Sequence, residues 1–247
     1  MPDTPTDQET FEHLEKVTQQ FFPKYKVRAK KDMWIHRTIA KILKPFNKYY
    51  MTRFWTYFNN TNAYPNEDTP GDRYRSWRIH MHEGTHASQE KTFSGFLWGS
   101  LYLLGTPVYA VAFAILSVPL FIVGALVTAV PWWVGLCVLG AGLLLSCPVP
   151  FAYWRAEWEL QGYGASVATK YWTEGSVPDS YIEDKVRTFT GGEYFYMCVF
   201  GNKVRKRLRK ARRLVQDRKF TAKWLPRCSE FYSAYYRGLK EQGRTKV

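Results

Sequence analysis

Cysteine and histidine are scarce in this chain, and their scarcity excludes several kinds of site. Only four cysteines are present, none of them in a C-x-x-C pair, and two lie within an apolar stretch. The sequence therefore indicates neither a disulfide framework nor a cysteine-based zinc site. The five histidines are too few for the several histidine boxes of a membrane di-iron enzyme of the desaturase kind. The first 30 residues lack the apolar core of a signal peptide, so no cleavable signal peptide is expected.

Charged residues and histidines are absent from Thr92 to Trp154. A helix needs about 20 apolar residues to cross a bilayer, so this stretch has room for two crossings and a turn. We predict a transmembrane helical hairpin with crossings at 108–129 and 132–150; a re-entrant hairpin is the alternative, because the second segment is short. Lys and Arg are dense on both flanks, which predicts an integral membrane protein with its soluble parts on the cytoplasmic side of a bacterial inner membrane or its equivalent.

Acidic residues are also in short supply, with 21 Asp and Glu against 35 Lys and Arg and a net charge of +14. Such an excess favours a negatively charged partner. Two basic clusters stand out, one at 24–31 and one at 203–223. The second cluster is expected to carry basic residues all round a helix, close to a stretch predicted to enter the bilayer. Anionic lipid is therefore the favoured partner of both clusters, and nucleic acid bound through the second is the alternative.

Hydrophobic periodicity predicts the elements outside the apolar stretch. Residues 1–20 are expected to be disordered or loosely helical. Residues 49–58 are aromatic and β-branched and precede Asn59-Asn60, which predicts a strand or a short hairpin closing at Ala63-Tyr64. Helices are expected at about 31–44 (basic and amphipathic), from an N-cap at Thr69 to Phe93, from Arg155 to Gly175 and at about 179–189.

The segment His82-Glu83-Gly84-Thr85-His86 reads H-E-x-x-H and lies within the helix predicted to start at Thr69. Two histidines four residues apart project from one face of a helix, so both imidazoles can reach a single metal ion. Glu83 then lies beside the metal, where its carboxylate can take a proton from metal-bound water. The motif predicts a catalytic Zn²⁺ site with His82 and His86 as ligands and Glu83 as general base.

A catalytic zinc site takes three protein ligands and leaves one position open for water. Because only three other histidines remain in the chain, a carboxylate is the expected third ligand. The helix beginning at Arg155 offers Glu157 and Glu159. These two point about 200° apart on a helix, so only one of them can face the metal.

The order of these features resembles that of the membrane-bound gluzincin endopeptidases, and some uncharacterised phage and bacterial membrane proteins look similar. Those endopeptidases carry H-E-x-x-H on one helix, then a pair of transmembrane segments, then a helix whose glutamate opens an E-x-x-A-D pattern and is the third zinc ligand. Glu159 with Gly162 fits that spacing and Glu157 does not, so the resemblance implies Glu159 as the third ligand. Tyr163 stands where the family often has an aspartate that orients a histidine ligand, so that support must come from another group.

Four further side chains are candidates for supporting the ligands or the transition state. Arg155 and Glu157 are the ionisable neighbours of Glu159, although a structural ion pair would explain them equally well. Tyr163 and His80 are candidate hydrogen-bond donors to the transition state. His80 lies on roughly the opposite side of its helix from His82, so it is not expected to be a ligand.

The resemblance implies a membrane-bound zinc metallopeptidase that acts on peptides or proteins at the cytoplasmic membrane face. Glu83 would remove a proton from zinc-bound water and pass it to the leaving nitrogen. The alternative is a catalytically inactive membrane scaffold, or a lipid- or nucleic-acid-binding protein, with an incidental or degenerate H-E-x-x-H. A protease with its zinc inside the bilayer is disfavoured, because Arg78 and Lys91 flank the motif closely.

The expected fold is mainly α, with a zincin-like pair of active-site helices joined by the transmembrane hairpin and a short β-strand or hairpin near the site. Five parts follow from this organisation. They are a basic amphipathic N-terminal region (1–48), a strand with the H-E-x-x-H helix (49–93), the transmembrane hairpin (94–154), the third-ligand helix with the C-terminal half of the catalytic domain (155–200) and a basic C-terminal tail (201–247).

Overall fold

A computed structural model of the chain shows a mainly helical protein with one small sheet. The described residues are 5–44, 50–52, 55–66, 72–93, 95–103, 107–126, 131, 133–145, 152–192 and 197–247. Their α-helices are α1 Asp7–Phe21, α2 Trp34–Leu43, α3 Asp72–Arg75, α4 Ile79–Thr92, α5 Gly95–Leu103, α6 Pro107–Leu126, α7 Trp133–Leu145, α8 Tyr153–Glu174, α9 Asp179–Thr190, α10 Gly201–Gln216, α11 Phe220–Lys223 and α12 Ser229–Glu241. The strands are β1 Lys26–Ala29, β2 Thr56–Phe58 and β3 Thr61–Tyr64.

Helices α4 and α8 pack against each other at the centre of the fold. Met81 of α4 is fully buried, and its sulfur accepts a hydrogen bond from Thr169 of α8 at 3.1 Å. Helix α10 packs on the other side of α8, and α12 packs against α1.

The elements that follow the apolar stretch match the sequence predictions. Helix α8 ends at Glu174, and Gly175 caps it with φ of 78°, a left-handed conformation that glycine adopts without strain. Helix α9 ends before Gly191. The two predicted helices, from Arg155 to Gly175 and at about 179–189, are therefore confirmed to within two residues.

The predicted hairpin is confirmed for β2 and β3, but the strand predicted at 49–58 is limited to Thr56–Phe58, and residues 50–52 form a turn. The two strands pair antiparallel across Asn59 and Asn60, whose φ values of 46° and 57° suit a tight two-residue turn. Strand β1 pairs with β3 in parallel, so the sheet order is β1-β3-β2. Glu90 of α4 connects the hairpin to this helix. Its Oε2 accepts hydrogen bonds from the Asn60 backbone N–H at 2.9 Å and from the Tyr57 hydroxyl at 2.7 Å.

The N-terminal segment is a regular helix, although residues 1–20 were expected to be disordered or loosely helical. Thr6 and Glu9 form a reciprocal capping box at the start of α1. Phe11 and Leu14 of this helix are buried in the main core. Of the two predicted alternatives, disorder is wrong for residues 7–20, because the polar sequence hides an apolar stripe at helical spacing, which α12 covers.

The single helix predicted from Thr69 to Phe93 is divided into α3 and α4. The chain turns between them, and the buried Trp77 donates from its indole N–H to Asp7 at 3.2 Å. The Trp77 carbonyl accepts from the Tyr235 hydroxyl at 3.0 Å. These tertiary bonds favour the break over a continuous helix. The predicted N-cap at Thr69 lies outside the described residues.

The apolar stretch from Thr92 to Trp154 is divided among α5, α6 and α7. The 9 residues of α5 and 13 of α7 make helices about 14 and 20 Å long, whereas the hydrocarbon core of a bilayer is about 30 Å thick. Among the residues that the structure describes, no helix is both long enough and apolar enough to cross a membrane.

The crossings predicted at 108–129 and 132–150 are therefore wrong, together with the integral-membrane fold and the membrane localisation that depended on them. Helices α6 and α7 pack against each other instead. Helix α5 packs on α4 and α8, and this placement brings it to the predicted metal site.

One residue of the basic cluster at 24–31 faces inward. Lys30 has no exposed surface, its Nζ donates to the Tyr50 carbonyl at 2.7 Å, and the same atom lies 4.0 Å from the centre of the Tyr50 ring. A buried ammonium cannot contact a lipid headgroup. Lys24, Lys26, Arg28 and Lys31 are exposed.

Candidate metal centre

Three buried side chains from α4 and α8 converge on one point. The Nε2 atoms of His82 and His86 lie 3.1 Å apart. The two carboxylate oxygens of Glu159 lie 3.4 Å from the His82 Nε2 and 3.6 Å from the His86 Nε2. This buried group could hold a metal ion.

The spacing of the three ligand atoms fits a small metal ion. In a tetrahedral site with metal–ligand bonds of about 2.1 Å, ligand atoms lie about 3.4 Å apart. The two Nε2 atoms lie 3.1 Å apart, and a different Glu159 oxygen lies near each of them, Oε2 at 3.4 Å from His82 and Oε1 at 3.6 Å from His86, so these separations are close to that value. Two imidazoles and a carboxylate are also donors that several divalent metals accept, so the geometry indicates a metal site without fixing the metal.

Gly162 makes the close approach of α4 and α8 possible at the site. It follows Glu159 by three residues, and the His82 ring lies directly on it. A Cβ atom at position 162 would lie 2.8 Å from the His82 Nε2, the ligand atom itself. The requirement for a small residue at this position of the E-x-x-G pattern is therefore steric, because a larger side chain would displace the His82 imidazole.

Gln89 sets the orientation and the protonation of His86. The Gln89 amide nitrogen donates to the Trp158 carbonyl at 3.1 Å, which turns the amide oxygen toward the His86 Nδ1 at 2.7 Å. Because that oxygen can only accept, Nδ1 of His86 carries the proton, and the lone pair of Nε2 points to the metal position. Gln89 thus holds His86 in the form that binds a metal.

Ser166 orients the His82 imidazole in the same way. The Ser166 hydroxyl donates to the Gly162 carbonyl at 3.4 Å, and its oxygen lies 3.2 Å from the His82 Nδ1. With its hydrogen directed to that carbonyl, the hydroxyl accepts from Nδ1, which leaves the Nε2 lone pair for a metal. Ser166 therefore supplies the support that the aspartate at the position of Tyr163 was expected to give.

Helix α5 covers the third ligand with an aromatic wall. The Tyr102 hydroxyl donates to Glu159 Oε1. Trp98 stacks on Tyr102, with ring centres 4.9 Å apart, and on Trp158, with ring centres 5.5 Å apart. The His86 ring lies 6.0 Å from Trp98. Glu159 thus keeps a fixed position in surroundings from which apolar rings exclude water.

The protonation states of Glu159 and His86 are those that metal binding requires, whereas the environment of His82 favours its charged form, whose proton a metal ion would displace. Burial alone would raise the pKa of Glu159, but the hydrogen bond from His82, the two imidazoles and Tyr102 together lower it to about 2. Burial lowers the pKa of His86 to about 4, so its imidazole is neutral at pH 7. Burial opposes the charged form of His82 as well, yet its pKa is raised by the hydrogen bond to Glu159 and the charges of Glu83 and Glu159.

Glu83 lies next to His82 and is itself buried. Its Oε2 atom has no hydrogen-bond partner within the part of the chain that the structure describes. Burial raises the pKa of Glu83 to about 7. A buried carboxylate oxygen normally has a partner, so this oxygen has an unused capacity to accept a hydrogen bond or a proton.

The four predicted supporting side chains are placed differently from one another. Glu157 forms an ion pair with Arg207 of α10, which is the structural explanation left open for it. Tyr163 packs edge-on against the His82 ring, with ring centres 4.9 Å apart. His80 hydrogen-bonds the Tyr25 hydroxyl at 3.0 Å and is not among the three converging ligands. Arg155 is buried in α8, one turn before Glu159.

The sequence analysis missed Gln89, Ser166 and Tyr102. The first two were detectable in principle, because Gln89 follows His86 by three residues and Ser166 follows Gly162 by four, so each shares a helix face with the site. Tyr102 lies in the apolar stretch that was assigned to the membrane, and no spacing rule relates it to Glu159.

No known protein family, curated protein or solved structure matches this chain.

Proposed function

We propose that this protein is a zinc-dependent metallopeptidase. The observation that carries the proposal is the convergence of His82, His86 and Glu159, with the Glu83 carboxylate buried beside them. Two histidines and a glutamate form a donor set found in catalytic zinc sites of peptidases, where three protein ligands leave one position open. Zinc is therefore the metal proposed here.

Zinc bound by these residues would act as a Lewis acid that polarises a carbonyl oxygen and makes nearby water more acidic. The proton transfers are assigned to Glu83, whose unpartnered oxygen can accept a proton from water and return it to the leaving nitrogen. Gln89 and Ser166 keep the two imidazoles oriented throughout. Trp98 and Tyr102 exclude bulk water from Glu159.

Two observations support a peptide as the substrate. The H-E-x-x-H and E-x-x-G motifs resemble those of gluzincin endopeptidases. In addition, β2 is an edge strand of the described sheet and packs against α4. The backbone groups of an edge strand can pair with an extended peptide, which would lay that peptide along the helix carrying His82 and His86.

Metal analysis of the purified protein tests the ligand set. We expect zinc to be bound by the wild type, lost in Glu159→Ala and retained in Glu157→Ala. The second variant is the matched control, because it removes a carboxylate two residues away that pairs with Arg207 and is not among the three converging ligands. Zinc loss in Glu157→Ala alone would overturn the assignment.

Cleavage of casein tests the reaction. The Glu83→Gln variant keeps the shape of the side chain and is expected to retain zinc. Its cleavage rate should fall by roughly 10²- to 10⁴-fold, which is the contribution typical of a general base. If the wild type and this variant behave alike, or if neither cleaves the protein while both bind zinc, the peptidase proposal fails and a scaffold that binds a metal remains.

A further inference from the structure

Helix α10 carries eight Lys or Arg among its 16 residues and no Asp or Glu. The sequence prediction that basic residues surround this helix is wrong. Val204, Leu208, Ala211 and Val215 are buried and form an apolar stripe along one side. The positive charge is thus confined to the remaining surface of the helix.

Acidic residues of the neighbouring helices form ion pairs with arginines on both flanks of α10. One flank faces α8 and the other faces α9, and each acid accepts from an arginine. The pairs are Arg207–Glu157 on the first flank and Arg205–Glu183 (2.6 Å), Arg212–Asp179 (2.7 Å) and Arg209–Asp179 (3.6 Å) on the second. These arginines hold the helix in place.

A third side of α10 faces solvent and keeps its charge. We name its four exposed residues, Lys203, Lys206, Lys210 and Arg213, the outer stripe; none of them forms an ion pair with any described residue. At 100° per residue they lie within an arc of about 80°, opposite the buried stripe, and extend about 15 Å along the helix. A surface recess of about 430 Å³ borders the stripe and is lined by Asn202, Arg205, Lys206, Arg209, Arg212 and Arg213.

Exposed aromatic rings lie at the start of this stripe. Tyr153 is 54% exposed and Phe200 is 66% exposed. The Lys203 Nζ lies 4.9 Å from the centre of the Tyr153 ring, and Phe200 immediately precedes α10. A row of cations that ends in exposed rings is the combination that single-stranded nucleic acid requires, because phosphates pair with the cations and bases stack on the rings.

We propose that the outer stripe binds the phosphate backbone of single-stranded nucleic acid, without sequence preference. The two reasons for favouring lipid were basic residues on all sides of the helix and an adjoining membrane crossing, and the structure removes both. Single strands are favoured over duplexes because only unpaired bases expose a face to Tyr153 and Phe200. This inference is independent of the metal centre.

Fluorescence anisotropy with labelled oligo(dT) of about 20 nucleotides tests the proposal. If all four cations contact phosphates, the logarithm of the association constant should fall against log[salt] with a slope of about −2.8. The triple variant Lys206→Gln, Lys210→Gln and Arg213→Gln should bind at least roughly tenfold more weakly, with a slope of about −0.7.

Two further triple variants separate this role from charge loss and misfolding. Lys223→Gln, Arg237→Gln and Lys240→Gln remove three charges from exposed positions on α11 and α12 and should bind as the wild type does. The charge-preserving triple variant Lys206→Arg, Lys210→Arg and Arg213→Lys should also leave the affinity unchanged. If either of these variants loses as much affinity for oligo(dT) as the variant with Gln at 206, 210 and 213, the proposal is contradicted.

Stacking is tested separately from charge. Phe200→Ala should weaken oligo(dT) binding by roughly fivefold or more without changing the salt slope. Trp34→Ala is the control, because Trp34 is a comparably exposed ring on α2. Equal affinity for inorganic polyphosphate and oligo(dT), or binding of phosphatidylserine vesicles without binding of oligo(dT), would overturn the assignment to nucleic acid.

Discussion

Two regions of this protein bury an ionisable side chain, and the two side chains differ in whether an opposite charge lies beside them. At the metal centre the Glu159 carboxylate lies between two imidazoles and accepts a hydrogen bond from Tyr102. Just after β1, the close partners of the Lys30 ammonium among the described residues are the Tyr50 backbone carbonyl and the face of the Tyr50 ring. Lys30 forms no ion pair within the described residues.

The pKa values of the two regions differ accordingly. The imidazoles and Tyr102 overcome the effect of burial on Glu159, whose pKa is lowered to about 2, so it stays charged at pH 7. Burial lowers the pKa of Lys30 to about 7, and the distant charge of Glu83 reverses only part of that effect. A buried charge is therefore maintained where an opposite charge adjoins it and is weakened where only dipoles do.

Replacing Lys30 with Met should give the largest change. The folded pKa of about 7 lies below the ordinary 10.5, so between these values the unfolded chain holds a proton that the folded chain lacks. The wild type must then gain stability as pH rises through this window. Below pH 7 the folded protein carries the full free-energy cost of burying the charged ammonium. Relative to the wild type, Lys30→Met should therefore be most stable below pH 7 and should lose about 4 kcal/mol of this advantage by pH 10.

Urea unfolding of both proteins from pH 6 to pH 10 measures this difference. The matched control is Lys31→Met, because Lys31 is the exposed neighbour of Lys30. Its stability should follow that of the wild type at every pH. Parallel curves for Lys30→Met and the wild type would show that the Lys30 ammonium is not held in this unfavourable environment.

Gly162→Ala should have the next largest effect, on the metal centre. The added Cβ would lie 2.8 Å from the His82 Nε2, so the imidazole must leave its position. We expect zinc affinity to fall by roughly 100-fold, or about 3 kcal/mol, as measured by competition with a chelator. Gly140→Ala in α7 serves as the control, because a Cβ there meets nothing within 4 Å. Unchanged zinc affinity in Gly162→Ala would mean that His82 does not bind the metal from this position.

Removing the hydrogen-bond partners of the imidazoles should have intermediate effects. Gln89→Leu and Ser166→Ala each leave a ring nitrogen without its acceptor, and zinc affinity should fall by about 10- to 100-fold. The loss should be larger for Gln89, whose bond to His86 is 2.7 Å, than for Ser166, whose bond to His82 is 3.2 Å. The reverse order, in the same chelator competition, would show that the two imidazoles are not oriented as described.

Tyr102→Phe should give the smallest effect in this series. It removes one hydrogen bond from Glu159 but leaves the ring in the stack with Trp98 and leaves both imidazoles in place. We expect zinc affinity to fall by about fivefold, or about 1 kcal/mol. A loss as large as that of Gly162→Ala would mean that Tyr102 is itself essential to the ligand set.

The sequence predicted the three converging side chains of the metal centre better than the residues that orient them. The spacing of His82 and His86 and the offset from Glu159 to Gly162 are consequences of helix geometry, so they can be recognised without coordinates. Gln89 and Ser166 act through single hydrogen bonds, and their residue types are common on any helix. Such partners become visible only when the helices are packed.

The largest error arose from composition. The stretch from Thr92 to Trp154 was assigned to a bilayer because it lacks charge, yet its first helix, α5, contributes Trp98 and Tyr102 to the metal centre. Lys30 is a second error of this kind: a lysine within a basic cluster was expected to be exposed, and it is buried. In both cases a rule about average residues failed where tertiary packing determined the environment.

The hydrogen bond from the Asn60 backbone to Glu90 gives this protein a reporter of its own. Amide protons at the tip of a two-residue turn normally exchange with solvent quickly, but this one is held by the helix that carries both histidines. In an NMR exchange experiment its protection would decay when α4 separates from the hairpin. A single resonance would therefore report the free energy of separating the hairpin from the helix that carries both histidines, with no probe attached.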